Sequence, residues 1–364
     1  MTERRPRKSC TIADVAARAG VSPATVSMVL NGKPGVAPET RRRVLQAAEE
    51  LSYRPNASAR SLVLQRTGML GVILPDIGSP FYSEVIHGVE QEANAQGYYL
   101  VLCTTCGKPS REEMHLRLLW EHRVDGLLLV TPRGNEPLIQ EIRKHGFPLV
   151  VVDRDMSPQD DVVEVIVDNF HGAIQAMEHL IHCGYRRIGF INGLPDIQAS
   201  QERLRGYRIA LQEHGLPFSS RWIVHSDFTE RGGYVAMKNL LSISPHLDAV
   251  FVANDWMAVG ALWAIREAGL RVPDDMGVVG FDDVPLAAQT DPPLTTVRQP
   301  MRAMGALGVK LLVQLIQGEK VTPTKFMLQI ELVVRGSTRR IMEEKQGEEF
   351  RREVPCADGA EEKA

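Results

Sequence analysis

Polar side chains follow several apolar stretches of the sequence, and they are the first candidates for chemistry. Each stretch is rich in Val, Ile and Leu, which predicts a buried strand that ends at the polar residue. Ligands of open α/β sheets bind at the carboxyl ends of the strands, so carboxylates and amides there predict a cleft for a small molecule. This logic selects Asp76, Asp153, Asn254, Asp255 and Asp282. For Asp76 and Asp255, capping of the following helix is at least as good an interpretation.

Other residue types that carry chemistry form no recognisable catalytic or metal group. Cys103 and Cys106 form a CxxC, but the remaining cysteines are scattered and provide no second pair at zinc-binding spacing. Reduced thiols at a strand end are therefore the better interpretation. The histidines fall on different predicted helices, and no nucleophile is paired with a base. The sequence predicts neither an enzyme nor a bound cofactor or metal.

The apolar stretches alternate with amphipathic segments from residue 68 onward, and this alternation predicts an α/β body. Nearly continuous β-branched runs indicate strands buried on both faces, hence doubly wound parallel sheets covered by helices. Two such sheets, at roughly 68–168 and 169–297, predict two lobes. The runs are MLGVILP, YYLVLCTT, DGLLLVTP, PLVVVD, VEVIVDN, RIGFING, DAVFVAND and MGVVGFDD.

The charge of the chain is distributed unevenly. The residues up to Leu62 carry a balance of +6, whereas the whole chain carries −3, so the remainder carries −9. A basic head on an acidic body indicates that only the head meets a polyanion. No apolar stretch could span a bilayer or serve as a secretory signal, so we expect a cytoplasmic, nucleoid-associated protein without a membrane partner.

Two short helices joined by a tight turn are predicted at 11–32. Thr11 is a good N-cap for the first helix, and Gly20 would end it. Ser22 would cap the second helix, with Pro23 at its first position. This pattern predicts an all-α helix-turn-helix head that reads DNA, with an ordinary helical hairpin as the alternative.

A third helix is predicted from about residue 38 or 39 to Leu51. Its apolar residues Val44, Leu45, Ala48 and Leu51 would face inward. Arg41 and the two arginines that follow it suit phosphate contacts better than base contacts.

The segments TIADVAARAGVSPATVSMVLN (11–31) and ETRRRVLQAAEELSYRPNASARSL (39–62) resemble the head of the LacI/GalR (lactose repressor) family. The resemblance extends to about residue 340 and implies a transcriptional regulator, most often a repressor, with a periplasmic-binding-protein-like body. The chain would cross between the lobes near Asn169, Arg298 and Ile330. The implied domains are a DNA-binding head (1–55), a hinge helix and linker (56–67), an effector-binding and dimerisation body (68–340) and a charged, disordered tail (341–364). Within the body, the N-lobe would comprise 68–168 and 298–330, and the C-lobe 169–297 and 331–340.

The resemblance also implies which residues of the head contact the operator. Met28 stands where relatives often have Arg or His, and Met cannot make the bidentate contact of Arg with guanine. Specificity would therefore depend more on Ala24, Thr25, Ser27 and DNA shape. Affinity would draw on the arginine cluster, on pairing in a dimer and on Leu62, the implied apolar wedge in the minor groove. The implied DNA-binding set is Thr11, Ser22, Pro23, Ala24, Thr25, Ser27, Met28, Asn31, Arg41, Asn56, Ala59 and Leu62.

For the body, the resemblance adds four residues to those that follow the predicted strands. It implies that Arg203 and Asp282 hold hydroxyl groups or a carboxylate, and the aromatic face of Trp256 would suit a sugar ring. The implied effector is a small molecule, with a sugar or sugar derivative as first choice. The implied site is Asp76, Phe81, Tyr82, Asp153, Arg203, Phe228, Asn254, Trp256 and Asp282.

The implied assembly is a homodimer on a pseudo-palindromic operator in double-stranded DNA. The tail lacks the leucine heptads of a tetramerising coiled coil, which favours the dimer. Two alternatives remain at this point. One is control by a phosphoprotein corepressor, as in one branch of the family, and the other is a solute-binding protein, against which the basic head argues.

The Leu62→Ala substitution tests the implied hinge. Without the wedge, the kinked minor groove loses its apolar support, so we expect operator affinity to fall by at least about tenfold. Effector binding should stay near that of the unsubstituted protein. Titration of labelled operator at fixed salt measures the first quantity and calorimetry the second. Unchanged operator affinity would contradict the hinge mechanism.

Overall fold

The computed structural model describes residues 10–53, 66–121, 124–131, 134–156 and 162–339. Eleven α-helices and twelve β-strands are formed within these ranges. No helix in this described part is long and apolar enough to cross a membrane. The hinge residues Asn56, Ala59 and Leu62 and the tail 341–364 lie outside the described residues.

The N-terminal head consists of three short helices around a small core. They are α1 (Ile12–Ala19), α2 (Pro23–Leu30) and α3 (Pro38–Glu50). Their shared core includes the fully buried side chains of Val15, Val26 and Val44. The helix-turn-helix predicted from the sequence is therefore confirmed.

The ends of the first two helices show why these residues form them. The Thr11 hydroxyl accepts from the amide N of Asp14, and the Asp14 carboxylate accepts from the backbone N of Thr11 at 2.8 Å, which is a complete capping box. Gly20 ends α1 at a φ of 65°, a left-handed conformation that suits glycine. The Ser22 hydroxyl then accepts from the amide N of Thr25 at 3.1 Å and starts α2.

The prediction that Leu45 faces inward is wrong. Its side chain is 50% exposed, while Ala47 beside it is buried. Helix α3 packs through Val44, Ala47 and Ala48, which lie on one face at helical spacing, and position 45 lies outside that face.

The first lobe is a six-stranded, entirely parallel sheet in the order β11-β5-β4-β3-β1-β2. The strands are β1 (Met69–Leu74), β2 (Tyr99–Thr104), β3 (Gly126–Val130), β4 (Leu149–Val152), β5 (Val163–Val167) and β11 (Lys325–Leu328). The helices are α4 (Pro80–Ala95), α5 (Pro109–Trp120), α6 (Glu136–Lys144) and α11 (Met301–Ile316). One core cluster packs the sheet against α4 and α11, and a second core cluster packs it against α5 and α6.

The second lobe has the same plan, with the order β12-β10-β9-β8-β6-β7 and one antiparallel pair at its edge, between β10 and β12. Its strands are β6 (Ile188–Asn192), β7 (Ile223–His225), β8 (Ala249–Val252), β9 (Gly277–Asp282), β10 (Thr295–Arg298) and β12 (Glu331–Val333). Its helices are α7 (Asn169–His182), α8 (Gln198–Glu213), α9 (Glu230–Ile243) and α10 (Asp255–Glu267). The predicted two-lobed α/β body is confirmed.

The chain passes between the two sheets three times. These passages lie at 167–169, 298–301 and 328–331, where a strand of one sheet is followed by an element of the other lobe. Because β11 and α11 return to the first lobe, each lobe is completed by residues distant in sequence. Three segments of backbone therefore connect the lobes.

One helix pair in each lobe is packed so closely that only glycine fits. In the first lobe, a Cβ on Gly88 would clash with the carbonyl of Arg302, and one on Gly305 with the carbonyl of Val85. In the second lobe, Gly233 and Gly260 meet backbone of the facing helix in the same way. The α4–α11 and α9–α10 pairs thus allow almost no adjustment.

The Gly305→Ala substitution tests the α4–α11 packing. The added methyl group must push two backbones apart, so we expect the free energy of unfolding to fall by about 1–3 kcal/mol, although alanine is the better helix former. The control is Gly78→Ala, where an added Cβ would meet nothing nearer than 3.4 Å. Urea unfolding of both variants gives the comparison. An equal effect of the two substitutions would contradict the close packing.

Candidate ligand-binding cleft and nucleic-acid interface

The open face of α2 offers few hydrogen-bonding groups to DNA. Pro23 and Ala24 are exposed, while Met28 is half-buried. The amide of Asn31 folds back to donate to the carbonyl of Ser27 at 2.9 Å and lies 3.3 Å from its hydroxyl. This arrangement agrees with base reading by small side chains and shape, which stays a prediction.

Arg41 has a structural role that the sequence did not indicate. Its guanidinium donates to the carbonyl of Lys33 at 2.7 Å and to the carbonyl of Val29 at 3.3 Å. These carbonyls lie at and beyond the C-terminal end of α2, so α3 supports the recognition helix through this side chain. Three of the five N–H groups of Arg41 remain for the phosphate contact predicted from the sequence.

A cavity of about 460 Å³ lies between the lobes, at the carboxyl ends of strands from both sheets. All nine residues of the predicted effector site line it: Asp76, Phe81, Tyr82, Asp153, Arg203, Phe228, Asn254, Trp256 and Asp282. Contact of these residues with a ligand stays a prediction. Sequence reasoning did not select the polar wall residues Ser79, Thr131, Asp227, Thr229 and Gln299.

Arg203, on α8, is the buried cation of the cavity, with 4% of its surface exposed. Its guanidinium donates twice to the side-chain oxygen of Asn169, at 2.8 and 3.0 Å, and once to the carbonyl of Ala253. The group lies 3.7 Å above the ring of Phe281, which adds a cation–π contact. One N–H on each terminal nitrogen of Arg203 remains. Its Nη2 lies 4.0 Å from Oδ1 of Asp282.

Two carboxyl groups face this cation from opposite lobes. Desolvation raises the pKa of Asp282 to about 7, against the opposing charge of Arg203 and a 2.7 Å hydrogen bond from the Gln299 amide. Desolvation likewise raises the pKa of Asp153 to about 6, although the Thr131 hydroxyl donates to it at 2.8 Å. Both groups therefore change charge near neutral pH.

Gln299 carries an unsatisfied acceptor at this site. Its Nε2 donates to Asp282, but its buried Oε1 has no hydrogen-bond partner among the described residues. A buried acceptor without a partner is unfavourable, so a ligand hydroxyl group would remove a cost already present. Thr131 follows β3, one of the apolar runs, so the rule that selected Asp153 applied to it from the sequence. Gln299 follows β10, whose residues Thr295–Arg298 are not an apolar run, so that rule could not select it.

The neighbours Asn254 and Asp255 both make structural hydrogen bonds within the second lobe. Asn254 is the N-cap of α10, accepting from the amide N of Met257 at 2.9 Å, and its amide lies 3.3 Å from the carbonyl of Phe228. Asp255 neither caps the helix nor lines the cavity. Its buried carboxylate accepts from the Thr296 hydroxyl at 2.6 Å and the amide N of Val284 at 3.0 Å, which ties α10 to β10 and the loop after β9.

Asp76 also lines the cavity without capping a helix. It is exposed and accepts from the amide N of Gly78 at 2.9 Å, within its own turn. Helix α4 begins after Ser79, with no side-chain cap hydrogen bond. Neither Asp76 nor Asp255 therefore caps the helix that follows its strand.

Aromatic side chains from both lobes form the apolar walls of the cavity. Phe81 and Tyr82 of α4 contact each other edge to face, with ring centroids 5.2 Å apart. The ring of Phe228 lies where a Cβ on Gly193 would be, so Gly193 must lack a side chain. Trp256 is half-buried on the same lobe. Polar groups between aromatic walls suit a ligand with both polar edges and apolar faces.

Backbone strain is concentrated around the cavity. Non-glycine residues with positive φ include Cys106, Thr131, Asp153, Phe228 and Asp282, at values from 48° to 115°, and all five line it. Such conformations cost free energy and persist where the surrounding structure holds them, most often at functional sites. Among the described residues, no cluster of three or more potential ligands could hold a metal ion.

Two family models match the chain. One, described as bacterial regulatory proteins of the lacI family, matches residues 11–56, and one described as a periplasmic binding protein-like domain matches residues 177–338. The HTH-type transcriptional regulator CelR of Thermobifida fusca is 40% identical over 341 residues, which cover 92% of this chain and 99% of CelR. The HTH-type transcriptional repressor PurR of Photobacterium profundum is 36% identical, covering 90% of this chain and 98% of PurR.

Solved structures show the same likeness. A complex of the regulator CelR with cellobiose matches at a TM-score of 0.70 and 38% identity, over 90% of this chain and 99% of that one. The lac repressor dimer bound to operator and the anti-inducer ONPF matches at a TM-score of 0.82 and 29% identity, over 92% of this chain and all of that one.

The raised carboxyl pKa values make stability depend on pH. Between the ordinary carboxyl pKa of 3.8 and about 7, Asp282 holds its proton more strongly in the folded state than in the unfolded chain. Its contribution to stability is therefore greatest at the acidic end of this window and is lost as the pH rises through the folded-state pKa. We expect Asp282→Asn, which keeps an oxygen for Gln299, to melt at least about 2 °C above the unsubstituted protein at pH 8, with a smaller advantage at pH 5.

Thermal unfolding at several pH values measures this difference. Asp291→Asn is the matched control, because Asp291 is 88% exposed and its ion pair with Arg266 lies on the surface. If both variants track the unsubstituted protein equally at every pH, burial of Asp282 does not control its protonation.

Proposed function

Because the chain belongs to the LacI family of bacterial regulatory proteins, we propose that a small molecule in the interlobe cavity controls its binding to operator DNA. The helix-turn-helix head and the family make the chain a DNA-binding transcriptional regulator. Relatives are named repressors, and the lac repressor was solved as a dimer on its operator, which supports repression by a homodimer at a pseudo-palindromic site. Such a regulator acts in the cytoplasm, on the nucleoid, and has no catalytic role.

The ligand class that the cavity supports best is a carbohydrate. Pyranose rings have apolar faces that stack on aromatic side chains, and hydroxyl groups at their edges that donate to carboxylates. Aromatic side chains from both lobes line the cavity together with Asp153, Asp282 and the unsatisfied Oε1 of Gln299. That unsatisfied acceptor is the observation on which the proposal rests, because no described residue donates to it and a ligand hydroxyl group in the cavity would do so.

The structure of a relative with cellobiose supports a sugar, and cellobiose is the first compound to test. Control by a phosphoprotein corepressor has no comparable support, since none of the relatives described above is named as a protein-controlled regulator, whereas the cavity has the size and polar groups of a small-molecule site. A ligand that contacts both lobes favours the closed cleft. It acts on DNA binding only through its different affinities for the open and closed states.

Trp256→Ala tests the sugar site. Removal of the indole face is expected to weaken binding of the active sugar by about tenfold or more, because the ring loses a stacking surface and buried apolar contact. Trp263→Ala is the matched control, because Trp263 lies on the same helix, is 54% exposed and does not line the cavity.

The measurements are calorimetry with a panel of sugars that includes cellobiose, and operator titration at one salt concentration with each sugar. We expect one sugar to bind and to change operator affinity, with Trp256→Ala impaired and Trp263→Ala unaffected. If no sugar binds, or if both variants lose binding equally, the proposed ligand class is wrong.

A further inference from the structure

A second cavity of about 370 Å³ opens beside the first. The two share Thr131, Asp153, Ile197 and Ala199 as wall residues, so they are neighbouring chambers of one cleft. Each chamber by itself exceeds the size of about 300 Å³ at which small-molecule sites begin. The predictions from the sequence placed residues only in the first chamber, with Asp153 at its boundary.

The second chamber differs chemically from the first. No aromatic side chain lines it within the part of the chain that the structure describes. Its apolar wall residues include Ile166 and Met327, and the remainder is dominated by hydrogen-bond acceptors. The carboxyl groups on its wall, besides the shared Asp153, belong to Glu136, Asp155, Asp168, Asp196 and Glu202.

Several of these carboxyl groups are already engaged, and one of them, Asp155, forms an ion pair with Lys325. Glu136 forms an ion pair with Arg154, which is the basic residue of the chamber wall, and Asp168 accepts from the backbone and ring of His171. Glu202, half-buried on α8 directly before Arg203, makes no ion pair or hydrogen bond with another described residue. The chamber therefore offers a half-buried carboxylate as a hydrogen-bond acceptor.

We propose that the effector is at least two units long, with one sugar unit between the aromatic walls and a second, neutral or amine-bearing unit in this acidic chamber. The inference rests on the proposed function and extends it to the length and charge of the ligand. A single ring would occupy the first chamber and leave the second to solvent. A linked second unit binds with its partner already held, so it gains affinity at little further entropic cost.

The charge of the cleft selects against anionic ligands. Nine carboxyl groups line the two chambers, from Asp76, Glu136, Asp153, Asp155, Asp168, Asp196, Glu202, Asp227 and Asp282. The guanidinium groups on the same walls belong to Arg154 and Arg203. Glu136 is paired with Arg154, Asp155 is paired with Lys325, and the pKa values of Asp153 and Asp282 are raised, but carboxylates still outnumber the cations. Low-dielectric walls concentrate the remaining negative potential, so a phosphorylated or carboxylated sugar is repelled and a hydroxyl- or ammonium-bearing one is favoured.

The experiment compares chain lengths of the sugar that binds in the panel above, as monosaccharide, disaccharide and trisaccharide. We expect the disaccharide to bind at least tenfold more tightly than the monosaccharide. The aldonic acid made by oxidising that disaccharide should bind at least tenfold more weakly than the neutral compound. Calorimetry with the full-length protein measures all four affinities.

Two variants place the second unit in the chamber. Met327→Trp adds bulk at an exposed position on its wall, and Glu202→Gln removes the charge of the acceptor that has no partner. Both should lower disaccharide affinity several-fold and leave monosaccharide affinity unchanged. Val334→Trp is the control for Met327→Trp, because Val334 is similarly exposed and lines neither chamber.

The outcomes separate the two proposals. If no sugar of any length binds, the proposed function fails, and with it this inference. If a sugar binds but the monosaccharide equals the disaccharide, or the two chamber variants leave the preference for length unchanged, the inference alone is wrong. If the aldonic acid binds as tightly as the neutral disaccharide, the inference that the cleft selects against anionic ligands is wrong.

Discussion

The buried guanidinium of Arg203 is the interaction on which the cleft depends. It has almost no contact with solvent, so its charge must be stabilised by protein groups, and Asn169, the Ala253 carbonyl and the Phe281 ring do so from within its own lobe. The carboxylates lie farther from it. Asp282 is at 4.0 Å, and Asp153 acts on it from the other lobe through charge alone. The cation is thus held rigidly while its counter-charges remain partly available to a ligand.

This arrangement contains more buried acid than one cation can neutralise. Asp153, Asp255 and Asp282 all have pKa values raised first by desolvation, and Asp255 and Asp282 oppose each other's ionisation. Asp255 satisfies its oxygens within the second lobe, through Thr296 and Val284. Asp153 and Asp282 face each other across the cleft, so closure brings like charges together unless hydrogen-bond donors enter between them. Under the proposed function, ligand binding and lobe closure are linked through the same two carboxyl groups.

The packing within each lobe leaves little room for its helices to move. The glycine contacts in the α4–α11 and α9–α10 pairs leave no space for the helices to slide, and the sheets beneath them are buried on both faces. The three passages between lobes are the places where backbone connects the two rigid units. Rotation of one whole lobe against the other is therefore the movement that this packing permits. The dimeric regulators of this family can transmit such a rotation to a DNA-binding head.

Local sequence patterns alone determined the elements and the part of the cavity wall that follows apolar strands. The resemblance to the family, and not a local pattern, supplied Phe81, Tyr82, Arg203 and Phe228. The local patterns act within a few positions of the chain, so their consequences can be predicted without knowing the fold. They are the N-caps at Thr11 and Ser22, the nearly continuous β-branched runs, and the polar residues that follow those runs. The rule for strand ends placed Asp153 and Asp282 in the cavity, and it applied equally to Thr131, whereas Gln299 follows a strand that is not an apolar run. The roles of Arg41, Asp255 and Glu202 were decided only by tertiary structure. Their partners, or the lack of one, arise from backbone and side chains brought close by helix packing and by the return of the chain between lobes. The same holds for Leu45, which local periodicity placed in the core and the packing of α3 left in solvent.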